Sequence, residues 1–194
     1  MAALKILVIP GSVRTGSHNV RLAASITREL ALGSFEVTRI SLQDYPLPIY
    51  DADHEVGSGT PRHALQLRQL IASHHGIVLV SPEYNASIPP LLKNALDWAS
   101  STTVAGDAAL AAFRGRAFAL ASASPGKFGG ARALTALRQT LELGCGALVI
   151  PRQLSVTFAD KAFDDADHLS NARDLTQMRH MLRDLVDVAQ RMAG

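Results

Sequence analysis

Three apolar runs constrain this chain more than anything else in it: Ile6–Ile9, GIVLVS at residues 76–81, and RAFALASA at 116–123. Each is too continuous to leave one side in water, so each reads as a strand covered on both faces. Each stops in a loop of small and polar residues, and a helical pattern follows every time. After the first loop Val20, Ala23, Ala24, Thr27, Leu30 and Ala31 recur at helical spacing over residues 19–32. After the second, Leu92, Leu96 and Ala99 do so, and after the third, Leu134, Leu137 and Leu141. Two more strands complete the set. FEVTRI at 35–40 begins by alternating, which suits a sheet edge, and ALVI at 147–150 can extend past Pro151 through QLSV.

Strands alternating with helices predict parallel pairing and right-handed crossovers, hence an α/β sandwich. Five strands fit the doubly wound order 2-1-3-4-5, a flavodoxin-like sheet, and 194 residues suit one domain, 1–194. Between these elements, residues 45–61, rich in Pro, Gly and acids, read as a long surface loop. A helix is expected over 62–73, with His74 and His75 at its C-terminal end, where imidazoles meet the dipole favourably. That spacing does not suit paired metal ligands. Ser87 is the expected N-cap of the helix after the second loop, with Pro89 and Pro90 in its first turn. Leu175, Met178, Leu182, Leu185, Ala189 and Met192 mark a closing helix.

The first loop, PGSVRTGSHN, carries the chemistry. A strand end, a small-residue turn and a helix start present free N–H groups and a positive dipole end at one point. Ser12, Thr15 and Ser17 add hydroxyls, and Arg14 adds a formal cation. The loop reads as a phosphate cradle, against the plainer reading of an ordinary Ser/Gly-rich turn. The glycine spacing of a P-loop is present, but Ser17 stands where its lysine should be, which argues against a triphosphate. GxGxxG is absent, so a dinucleotide pyrophosphate is disfavoured at this turn.

Composition removes other classes. A formal charge of +2 gives no electrostatic footprint for nucleic acid, and no apolar run reaches a membrane span. The opening MAALKILVIPGS lacks a small-residue cleavage site and runs into the polar loop, so a leader is rejected and a cytoplasmic location expected. The single cysteine, Cys145, reads as a small buried hydrophobe.

Three motifs in order then resemble the NAD(P)H-dependent FMN reductases, which include bacterial quinone and chromate reductases. GSVRTGSHN matches G-S-x-R-x-x-S-x-N at Gly11, Ser12, Arg14, Ser17 and Asn19. PEYNASIPPLLKNALDW matches the second signature from Pro82 through Trp98, and SPGKFGGAR the third at Ser124, Gly126, Gly129, Gly130 and Arg132. The resemblance spans about residues 4–150.

It implies FMN as cofactor, with the phosphate on Ser12, Arg14, Ser17 and Asn19 and His18 beside them. The isoalloxazine would lie against Pro82, Glu83, Tyr84 and Asn85, with Ser124 and its glycine turn beyond. NADPH or NADH would be the donor, and a quinone, free flavin, azo compound or oxidised metal ion such as chromate the acceptor. No catalytic side chain is expected, because the cofactor carries the chemistry. A homodimer or homotetramer is implied as well. The other reading of the same fold is a flavodoxin-like electron carrier, which would be strongly acidic; this chain is not. Lys93, Asn94, Asp97 and Trp98 lie past the helix start and are expected to pack, to brace a loop or to contact a second subunit, and Arg132 either to reach an anion or to solvate a helix start.

Overall fold

The computed structural model describes residues 3–193, apart from the side chain of His54. Five strands, β1 (Leu4–Pro10), β2 (Phe35–Arg39), β3 (Gly76–Val80), β4 (Ala117–Ala123) and β5 (Leu148–Val156), form one parallel sheet. Their order is β2-β1-β3-β4-β5, the expected one. The helices are α1 (His18–Ala31), α2 (Ala52–Ser58), α3 (Arg62–Ser73), α4 (Pro90–Ser101), α5 (Ala131–Gln139) and α6 (Ala172–Ala193).

The two-residue period of a strand splits the core in two. Ile6, Val8, Val78 and Val80 face α1 and α6, while Leu7, Ile9, Ile77 and Leu79 face α3, α4 and α5. On the first face β4 offers only alanines, at 117, 119, 121 and 123. Such small side chains let α1 and α6 lie close over the middle of the sheet. On the other face Phe118 stacks on Phe113 with centroids 5.9 Å apart. Cys145 is buried in this second core, and burial, with the Asp97 charge adding to it, pushes its thiol up to about 11.

Pro151 does not end β5. Val149 lies opposite Phe118 and Gln153 opposite Leu120, so a bulge holds the proline where no ladder bond is required of it. Two expectations fail here. Residues 45–61 are not all loop: Asp51 accepts the N–H of Asp53 at 2.9 Å and caps α2. Ser87 does not cap α4; Pro89 holds that place with extended backbone, and Pro90 opens the helix with its fixed φ. Ser87 is spent on a turn described below.

Bracing from α4 to the segment after β2 is as expected. Asn94 Oδ1 accepts the Tyr50 N–H at 2.8 Å, and its amide donates to the Pro48 carbonyl at 2.9 Å. Trp98 Nε1–H donates to the same carbonyl at 2.8 Å, and the Tyr50 ring stands edge-on to it at 5.0 Å. Lys93 pairs with Asp97 on the helix surface at 2.7 Å. At the end of α3, His74 Nδ1–H donates to the Leu70 carbonyl at 2.6 Å, and His75 Nδ1 accepts the Lys5 N–H at 3.0 Å.

Candidate active site

The site lies at the carboxyl edge of the sheet, where the ladder runs one residue past the strands. Gly11 N–H donates to Val80 (2.8 Å), Ser81 N–H to Ala121 (2.8 Å) and Ser124 N–H to Val156 (3.1 Å). The loops after β1, β3 and β4 therefore start level with one another and converge on one cleft.

In the first loop, Ser17 occupies the N-cap of α1 with extended backbone, yet its hydroxyl makes no cap bond. Ser12, nearly buried, accepts the Arg14 N–H at 3.4 Å. The Arg14 guanidinium is exposed and, among the described residues, donates only to the Thr15 carbonyl at 3.3 Å. Gly16 takes φ +69°, the left-handed turn that leads into the helix. Among the described residues His18 Nδ1 is buried without a hydrogen-bond partner. Burial above all holds its imidazole below the ordinary value, helped by Arg14 and Arg21 and opposed by Asp160.

Asn19 has another task. Its amide donates to the Ala123 carbonyl and accepts the Ala123 N–H, both at 2.9 Å and both buried. It ties the start of α1 to the end of β4, so its side chain braces the cradle.

In the second loop, Tyr84 and Ser87 exchange two backbone bonds of 3.0 Å, closing a two-residue turn. Asn85 and Ala86 form that turn with φ +50° and +63°, the backbone of a type I′ hairpin. Asparagine tolerates that region and alanine does so at a cost. Asn85 thus sits at the turn tip, outside the cleft lining.

Glu83 is committed to structure. Gly130, the N-cap of α5, has no side chain to cap with, so the first N–H groups of that helix need an acceptor from elsewhere. Glu83 supplies it. Its Oε2 accepts the N–H of Arg132 at 3.1 Å and of Ala133 at 3.3 Å, while Oε1 takes the Arg132 Nε at 2.7 Å. The carboxylate side chain is only 8% exposed. This latch joins the second and third loops across the cleft. Arg132 also lies over the Phe128 ring, 4.9 Å from its centroid. In the third loop Gly130 (φ +82°) has no room for a Cβ beside the Ser122 hydroxyl, and Gly129 (φ +56°) lies against the Ser155 and Val156 backbone. These two glycines serve packing of the loop onto β4 and β5.

Nine of the ten expected residues line one cavity of about 160 Å³: Ser12, Arg14, Ser17, His18, Asn19, Pro82, Glu83, Tyr84 and Ser124, joined by Ala123 and Pro125. A second hollow of about 270 Å³ shares Ser12, Arg14 and Tyr84 and adds Val13 and Leu91. Together they reach the size of pockets that hold drug-sized ligands, about 300–1,000 Å³. Larger hollows exist elsewhere on the surface, so donor chemistry rather than volume singles this one out. An unspent N-cap hydroxyl, a half-buried imidazole with an orphaned nitrogen, a cation bonded only to its neighbour's carbonyl and a helix N-terminus fit a phosphate monoester. They fit the phosphate of FMN on that ground. The latch, in turn, is missed by sequence reasoning; its signal was the lack of a capping side chain at residue 130.

Glu83→Gln keeps the shape but removes the charge from the latch. Expected is a loss of about 1–2 kcal/mol of stability with less than a tenfold slowing of holoenzyme reduction in stopped flow. A slowing beyond about a hundredfold, the size of a lost acid or base, would instead give the carboxylate a chemical role.

Comparison with known proteins agrees with the geometry. The chain matches the family described as NADPH-dependent FMN reductase over residues 4–161. It is 38% identical over 139 residues to a quinone reductase of Escherichia coli strain K12, covering 71% of this chain and 69% of that one. It is 34% identical over 183 residues to an NAD(P)H-dependent FMN reductase of Pseudomonas aeruginosa, covering 91% of each. Among solved structures, FerB from Paracoccus denitrificans, a flavoenzyme NAD(P)H:(acceptor) oxidoreductase, superposes with TM-score 0.77 at 25% identity over 98% of this chain and 99% of that one. With sheet order, converging loops and sequence likeness in accord, the chain belongs to the NADPH-dependent FMN reductase family.

Proposed function

We propose that this protein takes hydride from a nicotinamide nucleotide and passes the electrons to small quinones, with FMN held in the cleft. The observation that carries this reading is the convergence of the phosphate-fitting first loop with two ring-flanking loops at one sheet edge. Names among the relatives support the quinone acceptor, and give less support to chromate or azo compounds. When bound, the flavin supplies the capacity to accept hydride and to release electrons to an acceptor.

The chain's own residues bind and orient. Arg14, Ser12, Ser17 and His18 hold the phosphate, and Asn19 fixes that cradle against β4. Pro82 and Tyr84 flank the ring, with Ser124 and the third loop opposite, while Asn85 keeps its expected place near the ring only through the turn it forms. The Glu83–Arg132 latch sets the spacing of these walls. No side chain is required to move a proton in hydride uptake, so none is assigned as catalytic.

Val13, Tyr84, Leu91 and Phe128 leave exposed apolar surface around the cleft mouth. A second copy covering it would complete the site, which supports a homodimer or homotetramer. Among the described residues no helix is long and apolar enough to cross a membrane, and the reading keeps a cytoplasmic place for the enzyme.

Donor and acceptor share the one cleft, so they must use it in turn. Double-reciprocal plots against donor at several quinone concentrations are expected to be parallel, with excess quinone competing against the donor. The purified protein should be yellow and bleach anaerobically on adding a nicotinamide nucleotide. A flavin-loaded protein that fails to bleach is an electron carrier instead, and intersecting plots would require a second substrate site.

A further inference from the structure

The first loop has another flank. There a hollow of about 440 Å³ opens between the loop and the end of β2, lined by Arg14, Thr15, Arg39, Ser41, Gln43 and Asp44 among others. Arg39 is the last residue of β2, paired in register with Val8, and Ile40 N–H still donates to the Val8 carbonyl at 3.2 Å. This holds Arg39 beside the strand that feeds the phosphate cradle. Among the described residues Arg39 makes no ion pair and no side-chain hydrogen bond, although the carboxylate of Asp44 lines the same hollow. An exposed edge-strand arginine usually does no more than solvate a surface. This one faces a cavity with hydroxyls at Thr15 and Ser41 and is left without a partner.

We propose that this hollow receives the 2′-phosphate of NADPH, with Arg39 as its anion clamp, and that it makes NADPH the preferred donor. The inference rests on the reading of a nicotinamide donor at the flavin cleft. Ser12, Val13 and Arg14 line both this hollow and the one that reaches Tyr84. A dinucleotide with its nicotinamide end near Tyr84 can therefore cross the loop without leaving the surface. NADPH differs from NADH by one phosphate group, close to dianionic at neutral pH. A guanidinium meets such a group with two parallel hydrogen bonds. Arg14, spent on the cradle, adds only its field here.

The test uses FMN-loaded protein and the variants Arg39→Gln, Arg39→Glu and Arg28→Gln. Arg28 is a cation in the last turn of α1, at the other end of that helix from the cradle. Losing one charged contact should raise KM for NADPH about tenfold or more in Arg39→Gln, and further in Arg39→Glu. KM for NADH and kcat with either donor should stay within about twofold of the parent, as they should for both donors in Arg28→Gln. Calorimetry gives a readout free of turnover: 2′,5′-ADP should bind wild-type holoprotein more tightly than 5′-AMP, and Arg39→Gln should abolish the difference. Equal losses for both donors, no loss, or an NADPH-selective loss in Arg28→Gln would each overturn the assignment. So would equal binding of the two adenylates. If neither nucleotide bleaches the flavin, the proposed activity fails while calorimetry still decides the phosphate site.

Discussion

Asn19→Ala should lower the melting temperature by about 5–15 °C, the largest effect expected of any single truncation at the site. The side chain is buried, and both its hydrogen bonds end on the backbone of Ala123, itself 3% exposed. Removing the amide strands a buried N–H and a buried C=O together. Each such group costs about 1–3 kcal/mol, and at the lower half of that range the pair costs about 2–4 kcal/mol. In a chain of this length each kcal/mol shifts the melting point by about 2–4 °C. FMN affinity should fall too, because α1 loses its tie to β4 and the cradle its fixed position. A melting point within about 2 °C of the parent would mean that water or a neighbour satisfies Ala123, and the brace would lose its importance.

Arg14→Ala should weaken FMN binding while leaving the fold alone. Its guanidinium is exposed and, among the described residues, bonded only to the neighbouring carbonyl at 3.3 Å, so the apoprotein should melt as before. A charge-assisted hydrogen bond contributes roughly 1.5–3 kcal/mol, and its loss should raise the Kd for FMN about ten- to a hundredfold. Arg14→Lys should recover part of that, since a lysine keeps the charge but not the forked geometry. Fluorescence titration decides the point. Unchanged affinity would remove Arg14 from the site, whatever Asn19 does.

The sheet was readable from the chain because its information is local. Ile6–Ile9, GIVLVS and RAFALASA each state their own burial, and the small-residue loops after them state where the carboxyl edge must lie. The cradle was readable for the same reason, since Ser12, Arg14, Ser17 and His18 are close in sequence and need only one turn to meet. What stayed hidden depends on segments that meet only after folding. Asn19 and Ala123 are 104 residues apart, and Glu83 and Arg132 are 49 apart. No spacing rule connects such pairs; the strand order does. Short-range capping failed differently. Ser87 has the right chemistry for an N-cap, but its backbone closes the tight turn at Asn85 and Ala86, and the helix starts only after Pro89. Asp51 capped a helix where Pro and Gly had suggested only loop, because one Asx bond sufficed to start two turns.

The placement of Cys145 bears on how such a protein withstands its own chemistry. Reduced flavins meeting dissolved oxygen yield peroxide, so an enzyme of this class makes an oxidant beside its own polypeptide. Peroxide attacks thiolates rather than thiols. With the thiol pushed up to about 11 by burial inside the second core, it stays protonated at neutral pH. The chain's one thiol is thereby kept both out of reach and in its inert form.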